Sequence, residues 1–242
     1  KAKSSKKIMR QEIAIKILKE NIKNFDTIAE EFSVSRSQLW PDFRKFNKFI
    51  KSNDKILDIG CGNGRLYSIF RKENIQYFGI DTSSKMINLA KNKWPNESNN
   101  PIFTNGNILD IPFSSNFFDI VFSLAVLHHI PSLSLREKAI KECARVLKPQ
   151  GFLVISVWNL FSFKFLLKYH NLLMLLGKRE RGLDYGDTFI PWKAKNDVIW
   201  RYYHAFSKNE LKKLLKKDFE IIENKSNIFK ANNLVIIAKK RK

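Results

Sequence analysis

Beyond residue 54 the chain switches between two periodicities. Short runs rich in β-branched and aromatic residues (ILDI at 56–59, YFGI at 77–80, IFTNG at 102–106, FDIVFSL at 118–124, FLVISVW at 152–158) alternate with helix-spaced segments at 65–72, 84–93 and 134–147. Strands separated in this way are joined by right-handed βαβ crossovers, so the pattern predicts an α/β fold with a mostly parallel sheet and helices on both faces. The last of these helices is stopped by Leu147-Lys148-Pro149-Gln150-Gly151, where Pro cannot continue a helix and Gly permits the turn into the fifth strand.

Residues 9–24 place Ile13, Ile17 and Leu18 at helical spacing, and a second helix is predicted over 25–32. Residues 1–50 thus read as an N-terminal helical extension of a domain spanning 51–242. Residues 27–37 also resemble a helix-turn-helix, but Pro41 stops the would-be recognition helix by Trp40, too early to read a groove. After Trp158 comes a mixed apolar and basic insertion over about 160–205, without clear periodicity. Its most apolar part, 160–176, is interrupted by Lys164, Lys168, His170 and Asn171; that excludes a bilayer span and predicts a lid or packing helix. Ser207-Lys208-Asn209-Glu210 reads as a capping box opening a Lys-rich helix through Lys216, and 219–224 and 233–239 supply two closing strands, making seven.

The candidate chemistry begins where the first strand ends, at Asp58-Ile59-Gly60-Cys61-Gly62-Asn63-Gly64. Glycines between a strand and a helix let backbone approach a ligand closely, and Asp81, closing the second strand, is placed to accept both hydroxyls of a ribose. That spacing suits a nicotinamide dinucleotide as well as S-adenosylmethionine. The discriminator is D-x-G-x-G-x-G, in which the third Gly follows the second by two residues and not three. With these residues the chain resembles the class I S-adenosylmethionine-dependent methyltransferases, which have a Rossmann-like fold. The resemblance implies that Gly60, Gly62 and Gly64, led by Asp58, pack against the methionine moiety and that Asp81 holds the ribose. The family's next acid, which meets the adenine amine, is replaced by Asn107; its amide carbonyl can still accept, with Ile108 as a backbone-donating neighbour. Ser123 ends the fourth strand at the carboxyl edge and is counted with the cofactor site.

His128 and His129 follow at the same edge. Adjacent side chains cannot point the same way, so one faces the transfer site; His129 is favoured and His128 remains the alternative. Further on, Arg201-Tyr202-Tyr203-His204-Ala205-Phe206 sets three rings beside an Arg, a combination able to stack a splayed base and bind its phosphate. Taken in order, IAEEFSVSRSQLWP, LDIGCGNGR, SLAVLHHI, FIPW and RYYHAF resemble the tRNA wobble-uridine methyltransferases that esterify 5-carboxymethyluridine. That resemblance implies a pocket of Arg36, Trp40, His129, Arg136, Trp192, Arg201, Tyr203 and His204, with His129, Arg201, Tyr203 and His204 at the reacting group. Eukaryotic members are activated by a small zinc-binding protein, so an activating partner is a candidate here too.

Charge bears on the substrate. Lys and Arg number 44 against 23 Asp and Glu, leaving +21, which favours a polyanion through counterion release, although a Lys-, Asn- and Ile-rich composition can also reflect codon bias. A small-molecule methyltransferase acting on a quinone precursor or lipid-like acid has no need of such charge. A nucleic-acid-binding regulator has no need of an intact glycine motif with Asp81. Cys61 and Cys143 form no CxxC pair and fit no metal spacing, and the basic N-terminus lacks an apolar signal core; a metal-free protein of the reducing cytoplasm is expected.

Overall fold

The computed structural model describes residues 9–36, 46–95, 100–162, 165, 182–195, 197–226 and 233–242. Strands β1 (Lys55–Ile59), β2 (Gln76–Asp81), β3 (Ile102–Asn105), β4 (Phe118–Leu124) and β5 (Leu147–Trp158) are parallel neighbours. After β6 (Asp187–Lys193) and β7 (Val198–His204), which form a separate antiparallel ribbon, β8 (Phe219–Ser226) and β9 (Asn233–Lys240) complete a seven-stranded sheet ordered β3-β2-β1-β4-β5-β9-β8. Strand β9 runs antiparallel to both β5 and β8.

Alternate residues of each strand face opposite sides, and both sides are apolar. Leu57, Ile59, Leu153, Ile155, Leu234 and Ile236 pack with Ile140 and Cys143 of α5 (Leu133–Val146) and Leu211 and Leu215 of α6 (Lys208–Leu215). Ile56, Ile120, Phe122, Val154 and Ile237 pack with Tyr67 and Phe70 of α3 (Tyr67–Phe70) and Ile87 and Ala90 of α4 (Ser84–Lys93). This is the mostly parallel α/β sheet covered on both faces that the alternation predicted, in the Rossmann-like arrangement that the resemblance implied. The strand order reverses between β1 and β4, so the loops leaving their carboxyl ends diverge and open a crevice.

Local departures have local causes. Helix α1 runs Gln11–Thr27, and the second helix is displaced to α2, Ala29–Ser35, because Ile28 still donates to Asn24 O and prolongs the first. The helix expected over 65–72 shrinks to α3. Strand β5 begins at Leu147, and the left-handed residue is Gln150 (φ +66°), not Gly151; Gly151 is needed instead because a Cβ there would lie 2.9 Å from Asp119 O. The insertion supplies the β6–β7 ribbon, with Phe189 opposite Tyr202 and Trp192 opposite Ile199. Trp40, Pro41, Lys164, Lys168, His170 and Asn171 lie outside the described residues. Among the described residues no helix is long and apolar enough to cross a membrane.

Candidate functional site

A cavity of about 180 Å³ opens at the crevice between β1 and β4. Its floor is the glycine loop: Gly60 and Cys61 donate to Ile80 O at 2.8 and 3.0 Å, tying the loop to β2. All three glycines have positive φ, of 66°, 54° and 69°, but their surroundings differ. A Cβ on Gly60 would overlap Val126 Cγ2, and one on Gly64 would press on the Phe103 ring at 2.8 Å, whereas one on Gly62 would meet nothing within 4 Å. Gly60→Ala is therefore expected to cost about 1–3 kcal/mol of folding stability in chemical denaturation. Gly62→Ala should instead weaken cofactor affinity about tenfold or more with the smaller stability loss, because its Cβ enters the cavity.

Asp81 closes β2 and lines the cavity. Its Oδ2 accepts Gly62 N–H at 3.0 Å and its Oδ1 accepts Ser83 N–H at 2.9 Å. Desolvation raises its pKa while those amides oppose the rise. Asn107 and Ile108 line the next wall, and Asn107 Oδ1 accepts Leu109 N–H at 2.9 Å, keeping one lone pair for a ligand donor.

Asp58 lies behind the loop and outside the cavity wall, with Tyr77 OH donating to its Oδ2 at 2.6 Å. Burial pushes its pKa up to about 7, against the lowering influences of Tyr77 and Arg65. The unfolded chain releases this proton near 3.8 and the folded one near 7, so Asp58's contribution to stability is complete below the lower value and lost as pH rises to the upper. The melting temperature of the wild type should thus fall more steeply from pH 5 to 7.5 than that of Asp58→Asn. Parallel profiles would refute this.

The wall facing the glycine loop comes from α1, α2 and the turn after β4. Leu18, Asn21, Ile22 and Phe25 of α1 and Phe32, Ser33 and Arg36 around α2 line it, together with Arg65, Ala125, Val126 and His129. The helices are stitched down. Asn63 Nδ2 donates to Ser33 Oγ at 2.8 Å, and Asp26 Oδ1 accepts from Ser83 Oγ at 2.7 Å and Lys85 N at 3.1 Å. Arg36 sits over the Phe32 ring at 5.4 Å; burial and the neighbouring Arg36 lower the Arg65 pKa to about 10, which leaves it charged at neutral pH.

The two histidine rings touch, with centroids 4.3 Å apart, and do not point apart as adjacency suggested, but only His129 lines the cavity. His129 reaches the cavity, its ring enclosed by Phe25 (4.8 Å) and Tyr203 (4.5 Å), with Nδ1 3.0 Å from Tyr202 O. A carbonyl can only accept, so Nδ1 carries the proton and Nε2 is bare. Desolvation lowers the pKa to about 3 despite that bond, so the ring is neutral. His128 is fully buried, accepts Trp158 N–H at 3.2 Å and stacks on Tyr203.

Several expected site residues lie elsewhere. Ser123 is wholly buried within β4, and the cavity is lined by Leu124 to Val126 instead. Arg136 is 2% exposed; it donates to Ile130 O at 3.2 Å and sits 3.6 Å from Asp184, a bracing role beneath the site. Arg201, 3% exposed and outside the cavity wall, has its guanidinium among the rings of Trp192 (5.0 Å), Tyr203 (5.4 Å) and Phe25 (5.7 Å), in the layer that supports the cavity. Tyr203 is buried between His128 and Trp158. His204 faces carboxylates with both nitrogens, Asp187 Oδ1 at 2.7 Å and Glu210 Oε1 at 2.8 Å, locking the ribbon to α6. That use of Glu210 leaves half of the expected capping box: Ser207 Oγ still accepts Glu210 N–H at 3.1 Å. Trp192 is half-buried beside Phe32 and bonds Glu31 at 3.4 Å, outside the cavity wall.

Residues 57–155 match the methyltransferase domain family. The chain is 30% identical to the tRNA (carboxymethyluridine(34)-5-O)-methyltransferase of Schizosaccharomyces pombe, over 79% of this chain and 84% of that protein. The chain belongs to this family. The enzyme is thus a class I S-adenosylmethionine-dependent methyltransferase. It is also 34% identical to the Arabidopsis thaliana protein of the same name, over 55% of this chain but only 31% of that longer one. A crystal structure of a methyltransferase from Methanosarcina mazei superposes with a TM-score of 0.66 at 25% identity, covering 84% of this chain and 99% of that one. A Haloferax volcanii methyltransferase solved with the Trm112 methyltransferase activator shares the fold, with a TM-score of 0.64 at 16% identity over 92% and 98% of the two chains.

In this methyltransferase the sequence motifs pointed to the glycine loop, Asp81, Asn107, Arg36 and His129, which the fold gathers around one cavity. Phe32 and Ser33 belong to the same early segment as Arg36, whereas nothing in the sequence marks Asn21, which helical spacing places on one face of a packed extension. Arg65 stood next to the glycine motif and could have been found there.

Proposed function

We propose that this methyltransferase esterifies the carboxylate of a 5-carboxymethyluridine at the wobble position of tRNA. The observation carrying the reading is one cavity in which the glycine loop and Asp81 face a second wall of Arg36, Arg65, Phe25, Phe32 and a neutral His129. The residues suit S-adenosylmethionine: open space over Gly62, a carboxylate at the rim of β2 for ribose hydroxyls, and Asn107 with Ile108 beside them for adenine. When bound, that cofactor supplies an electrophilic methyl group on a sulfonium.

The chain's own work is alignment. A carboxylate nucleophile is already ionised at neutral pH and needs no base, so the barrier falls through orientation and desolvation. Two arginines in one cavity match two carboxylates: Arg65, directly after the glycine loop, takes the cofactor's, and Arg36, from the N-terminal extension, takes the substrate's. His129 has its single N–H committed to Tyr202 O and cannot donate to a carboxylate; its bare Nε2 suits the imide N–H of uracil. Phe25 and Phe32 offer ring faces to a splayed base. In this reading α1 and α2 provide the substrate wall of the 51–242 domain, and the ribbon of β6 and β7 supports it from outside.

Incubation with labelled S-adenosylmethionine and bulk tRNA from cells lacking the enzyme, with and without a Trm112-type activator, followed by nucleoside mass spectrometry, should reveal the methyl ester of 5-carboxymethyluridine. Label confined to small acids would overturn the reading. The +21 charge also predicts that tRNA affinity falls steeply with salt, with a log–log slope reflecting several phosphate contacts; a flat dependence would favour a small-molecule substrate.

A further inference from the structure

We propose that Asn21 is a positioning residue whose side-chain amide closes the open edge of β7 at Tyr202 and so holds His129 with Nε2 as its bare, accepting nitrogen. Tyr202 N–H donates to Asn21 Oδ1 at 3.0 Å, and Asn21 Nδ2 donates back to Tyr202 O at 3.3 Å. A single side-chain amide thus satisfies both backbone groups of one residue, as a neighbouring strand would. Because Tyr202 N–H needs an acceptor, the orientation of the amide is determined and its NH₂ must face the carbonyls. The same Nδ2 lies 3.4 Å from His129 O, so Asn21 grips the backbone of His129 as well as the strand.

Tyr202 O is the atom to which His129 Nδ1 donates, at 3.0 Å. Asn21 therefore fixes both ends of that bond: the carbonyl through β7 and the ring through its own main chain. The residue is 5% exposed and lies on α1, remote in sequence from both partners. Without it, the strand edge and the turn after β4 keep only the His129–Tyr202 bond as a direct link, and the ring is freer to turn from that carbonyl and take the other tautomer. An Nε2–H tautomer would present a donor where the site needs an acceptor, and the substrate would be misaligned.

The inference rests on the reading of His129 as a substrate-facing group, and its test separates the two. Nitrogen-15 NMR of histidine-labelled protein, with the His129 signals assigned by His129→Gln, should show a neutral Nδ1–H ring in the wild type at neutral pH. An Nε2–H ring or an imidazolium there would overturn the inference whether or not tRNA is methylated. Asn21→Ala and the near-isosteric Asn21→Asp, whose second oxygen would face carbonyls it cannot donate to while ionised, should shift His129 to a mixture of forms. They should lower kcat about tenfold or more while S-adenosylmethionine affinity stays within about threefold. Either folded variant keeping the wild-type His129 signals, or the wild-type kcat, would refute the role. Failure of the wild type to methylate tRNA would count against the proposed substrate and leave the NMR result to decide on Asn21.

Discussion

Asp81→Ala is expected to weaken S-adenosylmethionine binding by about 2–4 kcal/mol, roughly 30- to 1,000-fold. The carboxylate holds the glycine loop through Gly62 N–H and starts the turn into α4 through Ser83 N–H. The carboxylate keeps accepting capacity for ribose hydroxyls, and burial makes the ionised group demand such donors. Removing it deletes two charge-assisted bonds to the ligand and also frees the floor of the cavity. Asp81→Asn keeps one accepting oxygen but turns the other towards donors as an NH₂, so an intermediate loss is expected. Calorimetry decides the matter: unchanged affinity in Asp81→Ala, or tight binding of NAD by the wild type, would contradict the cofactor assignment.

The second large effect concerns the pair of arginines. Arg36→Ala should lower kcat/KM for tRNA about 10²-fold, because the substrate carboxylate loses its charged donor and its alignment, while cofactor affinity changes little. Arg65→Ala should do the reverse, weakening S-adenosylmethionine binding first. The contrast follows from position: Arg36 follows α2 on the N-terminal extension, and Arg65 follows Gly64 in the loop. Equal losses of cofactor affinity in both variants would show that the arginines share one carboxylate. Arg201, despite its place in an aromatic and basic sequence cluster, is not expected to behave like either; its guanidinium is enclosed by three rings, and its removal should register first in stability.

The sequence alone determined the sheet, the glycine loop and the acid that follows it. These features are local: strands announce themselves by β-branched runs, and the βαβ crossover rule leaves few ways to assemble them. Positive φ at Gly60, Gly62 and Gly64 likewise belongs to a short motif whose turn is set by its own backbone. The ribbon of β6 and β7 was not legible, because its burial changes along the strand, from an exposed Val198 to a buried Arg201 through His204, and leaves no alternation to detect. Only the tertiary structure decided which of the later aromatic and basic residues face the cavity. Arg136, Arg201, Tyr203 and His204 have the chemistry of a substrate pocket, yet Arg136 sits beside Asp184, His204 is held between Asp187 and Glu210, and Arg201 and Tyr203 are buried among rings outside the cavity wall. Asn21 and Phe25 show the converse, unremarkable on a helix until the fold lays that helix over β7 and His129. Residue type records what a side chain can do, and the contacts made across long stretches of chain determine whether it is free to do it.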